Sequence, residues 1–77
     1  MRHAKWERLS PREHQVVMLI GRGLCNKEIA RELGLSVGTV KLHVHKILKK
    51  TSARNRYAIL LLAATMLDAS TKESREA

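Results

Sequence analysis

Apolar residues at helical spacing follow a strong helix-start signal in the first third of the chain. Ser10 is a good N-cap residue, Pro11 suits the first helical position, and Glu13 completes a capping box three residues after the cap. Gly21 and Gly23 come after the apolar positions and favour a stop there. The pattern predicts a first helix whose buried positions are Val16, Val17, Leu19 and Ile20.

A very short connection separates the second and third helices. The second helix is predicted to begin at Asn26, a good cap residue, and to end at Gly34; its buried stripe is Ile29, Ala30 and Leu33. Ser36 is the cap residue of the next helix, so only three residues, Gly34 to Ser36, lie between the two helices. This spacing predicts a helix-turn-helix motif.

The third helix, predicted from Ser36 to Lys50, has two contrasting faces. An advance of about 100° per residue gives a buried face of Val40, Val44, Ile47 and Leu48. The opposite face receives Lys41, Leu42, His45, Lys46 and Lys49, with His43 and Lys50 on the flank. A basic face without a carboxylate, directly after a tight turn, is typical of a helix that enters the DNA major groove. The plainer interpretation is a face that only keeps the domain soluble.

A fourth helix, predicted from Asn55 to Asp68, is apolar on two sides. One stripe is Tyr57, Leu60, Leu61 and Ala64, and the other is Ile59, Leu62, Ala63 and Met66. A surface helix needs only one apolar face, so we predict that the second stripe forms a two-fold homodimer interface. The alternatives are a core that covers both stripes and a further domain that covers one.

The predicted fold is all-α, a compact four-helix domain with a central helix-turn-helix at residues 9–68. Residues 1–8 are expected to be an N-terminal extension or linker, and residues 69–77 a disordered polar tail. The chain has 77 residues and no Phe, so its small core must be aliphatic.

Charge narrows the function. Fifteen Lys and Arg against seven Asp and Glu give a net charge of +8, which favours polyanionic partners such as nucleic acid. No acidic residue lies between Glu32 and Asp68. The single cysteine, Cys25, excludes an intramolecular disulfide, and the N-terminal residues lack the apolar core of a signal peptide. A cytoplasmic location is the default expectation.

Individual side chains can be given roles on DNA. Lys41 or His45 can donate to guanine O6 or N7, and Leu42 can contact a thymine methyl group. Phosphate contacts, which set the register, are predicted for Asn26, Lys27, Thr39, Lys46, Lys49 and Lys50. Asn26 and Thr39 also have plain structural roles as cap and first-turn residues.

Other function classes are weaker. No nucleophile with an adjacent base, phosphate-cradling glycine loop or paired carboxylate appears, so an enzyme is not expected. His43 and His45 point about 200° apart on one helix and cannot share a metal ion by themselves. The alternative from another class is a protein-interaction module that docks a partner through the fourth helix, with incidental DNA affinity. Selective, salt-sensitive DNA binding would separate the two.

Residues Leu9 to Ala63 resemble a known family, the LuxR-type helix-turn-helix output domains of NarL/FixJ response regulators. The segments LSPRE, GLCNKEIARELGLS and TVKLHVHKILKK carry this resemblance. It implies a four-helix DNA-binding domain of a bacterial transcription regulator in a two-component system, dimerising through its last helix. The implied partners are double-stranded DNA, a second copy of the chain and RNA polymerase; no membrane, cofactor or metal is expected.

The resemblance also implies site residues. The family's base-reading positions fall on Lys41, Leu42 and His45, while Thr39 and the start of the second helix lie nearer the DNA backbone. The position of Leu42 is often polar in the family, and that of His45 is often Lys or another polar residue. These two departures bear on which operator sequence is read.

Overall fold

The computed structural model describes residues 7–65, and residues 11–65 contain four helices. They are α1 (Pro11–Gly21), α2 (Asn26–Leu33), α3 (Val37–Thr51) and α4 (residues 56–65). No strand occurs within residues 7–65, and the all-α prediction is confirmed. Three predictions lie outside the described residues: the tail at 69–77, most of the N-terminal extension, and the end of the last helix at Asp68.

The predicted start of α1 is confirmed in detail. The Ser10 hydroxyl oxygen accepts the Glu13 N–H at 3.1 Å, and Glu13 Oε1 accepts the Ser10 N–H at 2.8 Å. Each residue therefore satisfies a backbone donor that the first helical turn would otherwise leave without a partner. The capping box fixes where α1 begins.

The start of α2 differs from the prediction by one residue. Asn26 is the first helical residue, not the cap, and Cys25 is the N-cap with an extended backbone. The Cys25 N–H donates to Glu28 Oε1 at 2.8 Å, so Glu28 reaches back to the cap. This hydrogen bond lowers the pKa of the Glu28 carboxyl. The side chain of Asn26 does not cap α2, and it contacts a residue of α4.

The helix-turn-helix connection is confirmed at three residues. Gly34 has a φ of +67°, in the left-handed region that favours glycine. The Leu35 N–H donates to the Ala30 carbonyl oxygen at 2.8 Å and closes α2. The Ser36 hydroxyl then accepts the Thr39 N–H at 3.1 Å and opens α3. Hydrogen bonds therefore hold the turn at both of its ends, one at the end of α2 and one at the start of α3.

All four helices contribute to one aliphatic core. The predicted buried face of α3 is confirmed for Val40, Val44 and Ile47, while Leu48 is half-buried against the core. The core consists of Leu9, Val16, Val17, Leu19, Ile20, Ile29, Ala30, Val40, Val44, Ile47, Ile59 and Ala63. Burying one side of α3 in this way leaves its other side at the surface.

The predicted interface stripe of α4 is wrong at two of its four residues. Ile59 and Ala63 are fully buried in the core, so neither is available to a partner. Leu62 is half-buried, and Met66 lies outside the described residues. The other stripe is the exposed one, with Tyr57 75% and Leu61 67% exposed. A branched Ile and a small Ala fit among neighbouring helices, whereas the Tyr57 hydroxyl stays in water.

Candidate nucleic-acid interface

The outer face of α3 carries the three predicted base readers together. Lys41, Leu42 and His45 are all exposed, and Leu42 keeps 53% of its surface. Residues three and four positions apart are neighbours on a helix surface, so these side chains form one patch. No carboxylate occurs anywhere along α3. The patch therefore offers hydrogen-bond donors and one apolar group without a competing negative charge.

Thr39, a predicted phosphate contact, already has a partner inside the domain. Its hydroxyl lies 2.9 Å from the Ser36 hydroxyl, and its side chain is half-buried. This arrangement agrees with the plain structural role at the start of α3. A phosphate would have to share or replace the Ser36 contact.

The start of α2 is connected to α4 by an arginine. Arg56 Nη1 donates to Asn26 Oδ1 and Nη2 donates to the Leu24 carbonyl oxygen, both at 2.7 Å. The Asn26 side-chain oxygen is thus committed to the domain itself, whereas Lys27 is exposed. The sequence alone could not reveal this contact of Arg56, because no local pattern links residues thirty positions apart.

The three lysines near the end of α3 are not equivalent. Lys50 Nζ lies 2.8 Å from Glu13 Oε1, and Glu13 is almost fully buried. Burial raises the pKa of the Glu13 carboxyl, but hydrogen bonds from Lys50 and from the Ser10 backbone outweigh that effect and leave the pKa below its ordinary value. Lys46 and Lys49 are exposed and form no ion pair within residues 7–65. Of the three lysines, Lys46 and Lys49 are therefore the two without an ion-pair partner in the described part of the chain.

A shallow groove brings these groups together beside α3. It is lined by Ser10, Glu13, His43, Lys46, Lys49 and Lys50. Glu13 lies at the inner side of the groove and its charge is already balanced by Lys50. The remaining positive charge is on the exposed Lys46 and Lys49, and Lys49 follows His45 by four positions, which makes the two neighbours on the surface of α3. An extended anion passing along α3 would meet this charge.

A second surface lies on α4. Tyr57 and Leu61 are exposed one helical turn apart. Tyr57 also lines a groove together with Ile20, Gly23, Leu24, Arg56 and Leu60. This apolar surface is the candidate contact for a protein partner.

No group of three or more His, Cys, Asp or Glu residues in the described part of the chain is arranged to hold a metal ion. Among residues 7–65, none of the helices combines the length and apolar character needed to cross a bilayer.

Comparison with known families gives a direct match. Residues 7–63 match the family described as bacterial regulatory proteins, luxR family. The match covers the four helices up to residue 63 and includes every predicted DNA-contacting residue. It confirms the resemblance found in the sequence, and because this is a family of regulatory proteins, it confirms that the chain is not an enzyme.

Individual relatives agree with the family match. Nodulation protein W of Bradyrhizobium diazoefficiens is 41% identical over 61 residues, which are 79% of this chain and 27% of that protein. The nitrate/nitrite response regulator protein NarL of Escherichia coli K12 is 48% identical over 48 residues, 62% of this chain and 22% of that protein. The two-component response regulator PprB of Pseudomonas aeruginosa is 43% identical over 54 residues, 70% of this chain and 20% of that protein. The chain therefore spans between a fifth and about a quarter of the length of these relatives.

Proposed function

The chain belongs to the luxR family of bacterial regulatory proteins, and we propose that it binds double-stranded DNA sequence-specifically with α3 in the major groove. One observation carries the proposal: the face of α3 opposite the core exposes Lys41, Leu42 and His45 without a carboxylate, directly after a three-residue turn. An α-helix fits the major groove, where each base pair presents its own pattern of donors and acceptors. The domain's part in a transcription regulator is to choose the site.

Base reading is assigned to the α3 patch. Lys41 and His45 have N–H donors for guanine O6 and N7, and the exposed Leu42 offers an apolar surface for the C5-methyl group of thymine. The exposed apolar surface of Leu42 is unfavourable in water, and covering it with an apolar group of DNA lowers the free energy. The preferred site should therefore contain both guanine and thymine opposite α3.

Phosphate binding is assigned mainly to the unpaired cations. Lys27, Lys46 and Lys49 are exposed, and each phosphate that they neutralise releases counterions. Lys50 contributes less, because Glu13 already balances its charge. Asn26 contributes through its backbone N–H at the start of α2, since its side-chain oxygen already accepts from Arg56. Thr39 contributes only by sharing its hydroxyl, because both its N–H and its hydroxyl are bonded to Ser36.

Dimerisation is assigned to the exposed side of α4. Tyr57 and Leu61 leave most of their surface in water, and a two-fold contact would cover the same patch on both copies. Two α3 helices would then meet half-sites about one turn of DNA apart. Sedimentation that finds a monomer both free and on DNA with two half-sites would contradict this assignment.

The wider setting follows from the relatives. NarL and PprB are named as response regulators, and we propose that this domain likewise acts as the output module of such a regulator in the cytoplasm. RNA polymerase is the candidate protein partner at the promoter.

The exposed apolar side of α4 also favours a second function, a protein-interaction module that docks a different protein there. Selection of bound sequences from a random DNA pool, followed by salt titration, distinguishes the two. An enriched motif with a steep salt dependence supports the DNA reader. Weak binding without sequence preference at any salt concentration supports the interaction module.

A further inference from the structure

A glycine lies in the first turn of α3, on the exposed face of the helix. Gly38 is the second residue of the helix and is exposed. Nine residues separate it from Ile47, so at about 100° per residue the two lie on opposite sides of the helix. Ile47 is fully buried. Gly38 therefore faces directly away from the core.

Gly38 is aligned with the proposed base readers. Lys41, Leu42 and His45 follow it by three, four and seven positions, which is the spacing of one helix face. If that face meets DNA, Gly38 is the position in the first turn that meets DNA as well. The inference below rests on the proposed function in this respect.

Nothing in the domain requires a glycine at this position. Gly38 is helical and is not among the glycines with positive φ, which are Gly23 and Gly34. A Cβ atom built on Gly38 would meet only the Ser36 hydroxyl oxygen, at 3.9 Å, an ordinary van der Waals distance. Alanine is the better helix former, because glycine loses more backbone entropy. The glycine thus weakens α3 without relieving any internal contact.

The surroundings of Gly38 suit close contact with base edges. Val37 beside it is 38% exposed, and Leu42 one turn later is 53% exposed. The hydroxyls of Ser36 and Thr39 bond to each other, so the turn presents backbone and apolar groups. In helix-turn-helix complexes, the N-terminal residues of this helix contact base edges.

We propose that Gly38 is a specificity-determining residue: the missing side chain lets the first turn of α3 approach the bases closely enough for the neighbouring side chains to reach them. A methyl group at this position would hold the helix away from the groove floor. The lost affinity would come from base contacts, which depend on how deeply α3 enters the groove, more than from phosphate contacts at the groove edges.

The test is Gly38→Ala, measured for both stability and DNA binding. We expect the melting temperature to rise by roughly 2–8 °C, because the helical backbone accepts alanine. We expect affinity for the selected site to fall tenfold or more, while affinity for unrelated DNA changes less than threefold. The larger Gly38→Val should lose more specific affinity. The control is Ser52→Gly, which should also stabilise the domain but lies beyond the last turn of α3, so its DNA affinity should stay unchanged.

Three results would overturn the inference. If the unmodified chain selects a DNA motif and Gly38→Ala binds it equally well or better, Gly38 has no role in recognition, although the proposed function stands. If Gly38→Ala lowers the melting temperature, the fold itself requires the glycine. If the unmodified chain shows no sequence preference, both the inference and the proposed function fail.

Discussion

The orientation of α4 predicts different effects for substitutions of two nearby apolar residues, one on monomer stability and the other on self-association. Ile59 is fully buried and Leu61 is 67% exposed. Replacing Ile59 with Ala removes three carbon atoms from the core, worth about 0.8 kcal/mol each in transfer free energy. The cavity left behind adds to this, so we expect a loss of about 2.5–4 kcal/mol.

The matched variant, Leu61→Ala, removes the same number of carbon atoms from a side chain that is about one third buried. The same transfer term then gives a loss of about 0.8 kcal/mol at most. Instead, Leu61→Ala should weaken self-association. Because a domain of this size has a small stability margin, Ile59→Val, with an expected loss of about 0.5–1.5 kcal/mol, provides a second variant that keeps the domain folded.

Urea unfolding followed by circular dichroism at several protein concentrations measures both effects. Extrapolation to low concentration separates the stability of the monomer from that of a dimer. If Leu61→Ala destabilised the monomer as much as Ile59→Ala, the orientation of α4 described above would be wrong. Equal self-association of the unmodified chain and Leu61→Ala would instead refute the dimer assignment.

Four further predictions concern DNA contacts and stability. Lys41→Ala should weaken the preferred site by about 1–3 kcal/mol and relax base preference, whereas Lys49→Ala should weaken all sequences alike and flatten the salt dependence in binding titrations. The pKa of Glu13 lies below its ordinary value of 4.5, so its contribution to stability is present above that pH and is lost as the pH falls through the lowered pKa. In urea unfolding, the stability advantage of the unmodified chain over Glu13→Gln should therefore shrink only below about pH 4.5. Arg56→Lys should lower stability by roughly 1–2 kcal/mol in the same assay, because a lysine cannot donate to both acceptors at once. Ser52 has a φ of +57°, and Ser52→Gly should raise stability by about 0.5–1 kcal/mol in thermal unfolding.

Local signals in the sequence were sufficient to locate the first three helices, apart from the cap of α2, which is Cys25 and not Asn26. The capping box of Ser10 and Glu13, the left-handed glycine at position 34 and the Ser36 cap each involve residues within a few positions of one another. The apolar stripe of α3 is equally local, because helix periodicity alone separates Ile47 from Lys41. For this reason the exposed patch on α3 could be located before the fold was known.

Features that depend on distant residues could not be located in this way. Both sides of α4 are apolar, so periodicity could not decide whether Ile59 or Leu61 faces the core. The pairing of Arg56 with Asn26 joins residues far apart in sequence, and so does that of Lys50 with Glu13. These contacts change the predicted site at two of the six proposed phosphate-binding residues. The side-chain oxygen of Asn26 already accepts a hydrogen bond, and the charge of Lys50 is already balanced.

Methylation interference on the selected site tests whether α3 reads DNA from the major groove. Dimethyl sulfate methylates guanine N7 in the major groove and adenine N3 in the minor groove, so one experiment reports on both grooves. We predict that methylation of guanines within the half-sites blocks binding and that Lys41→Ala loses this sensitivity at one guanine. Interference from adenine N3 alone, or from neither base, would contradict a major-groove reader.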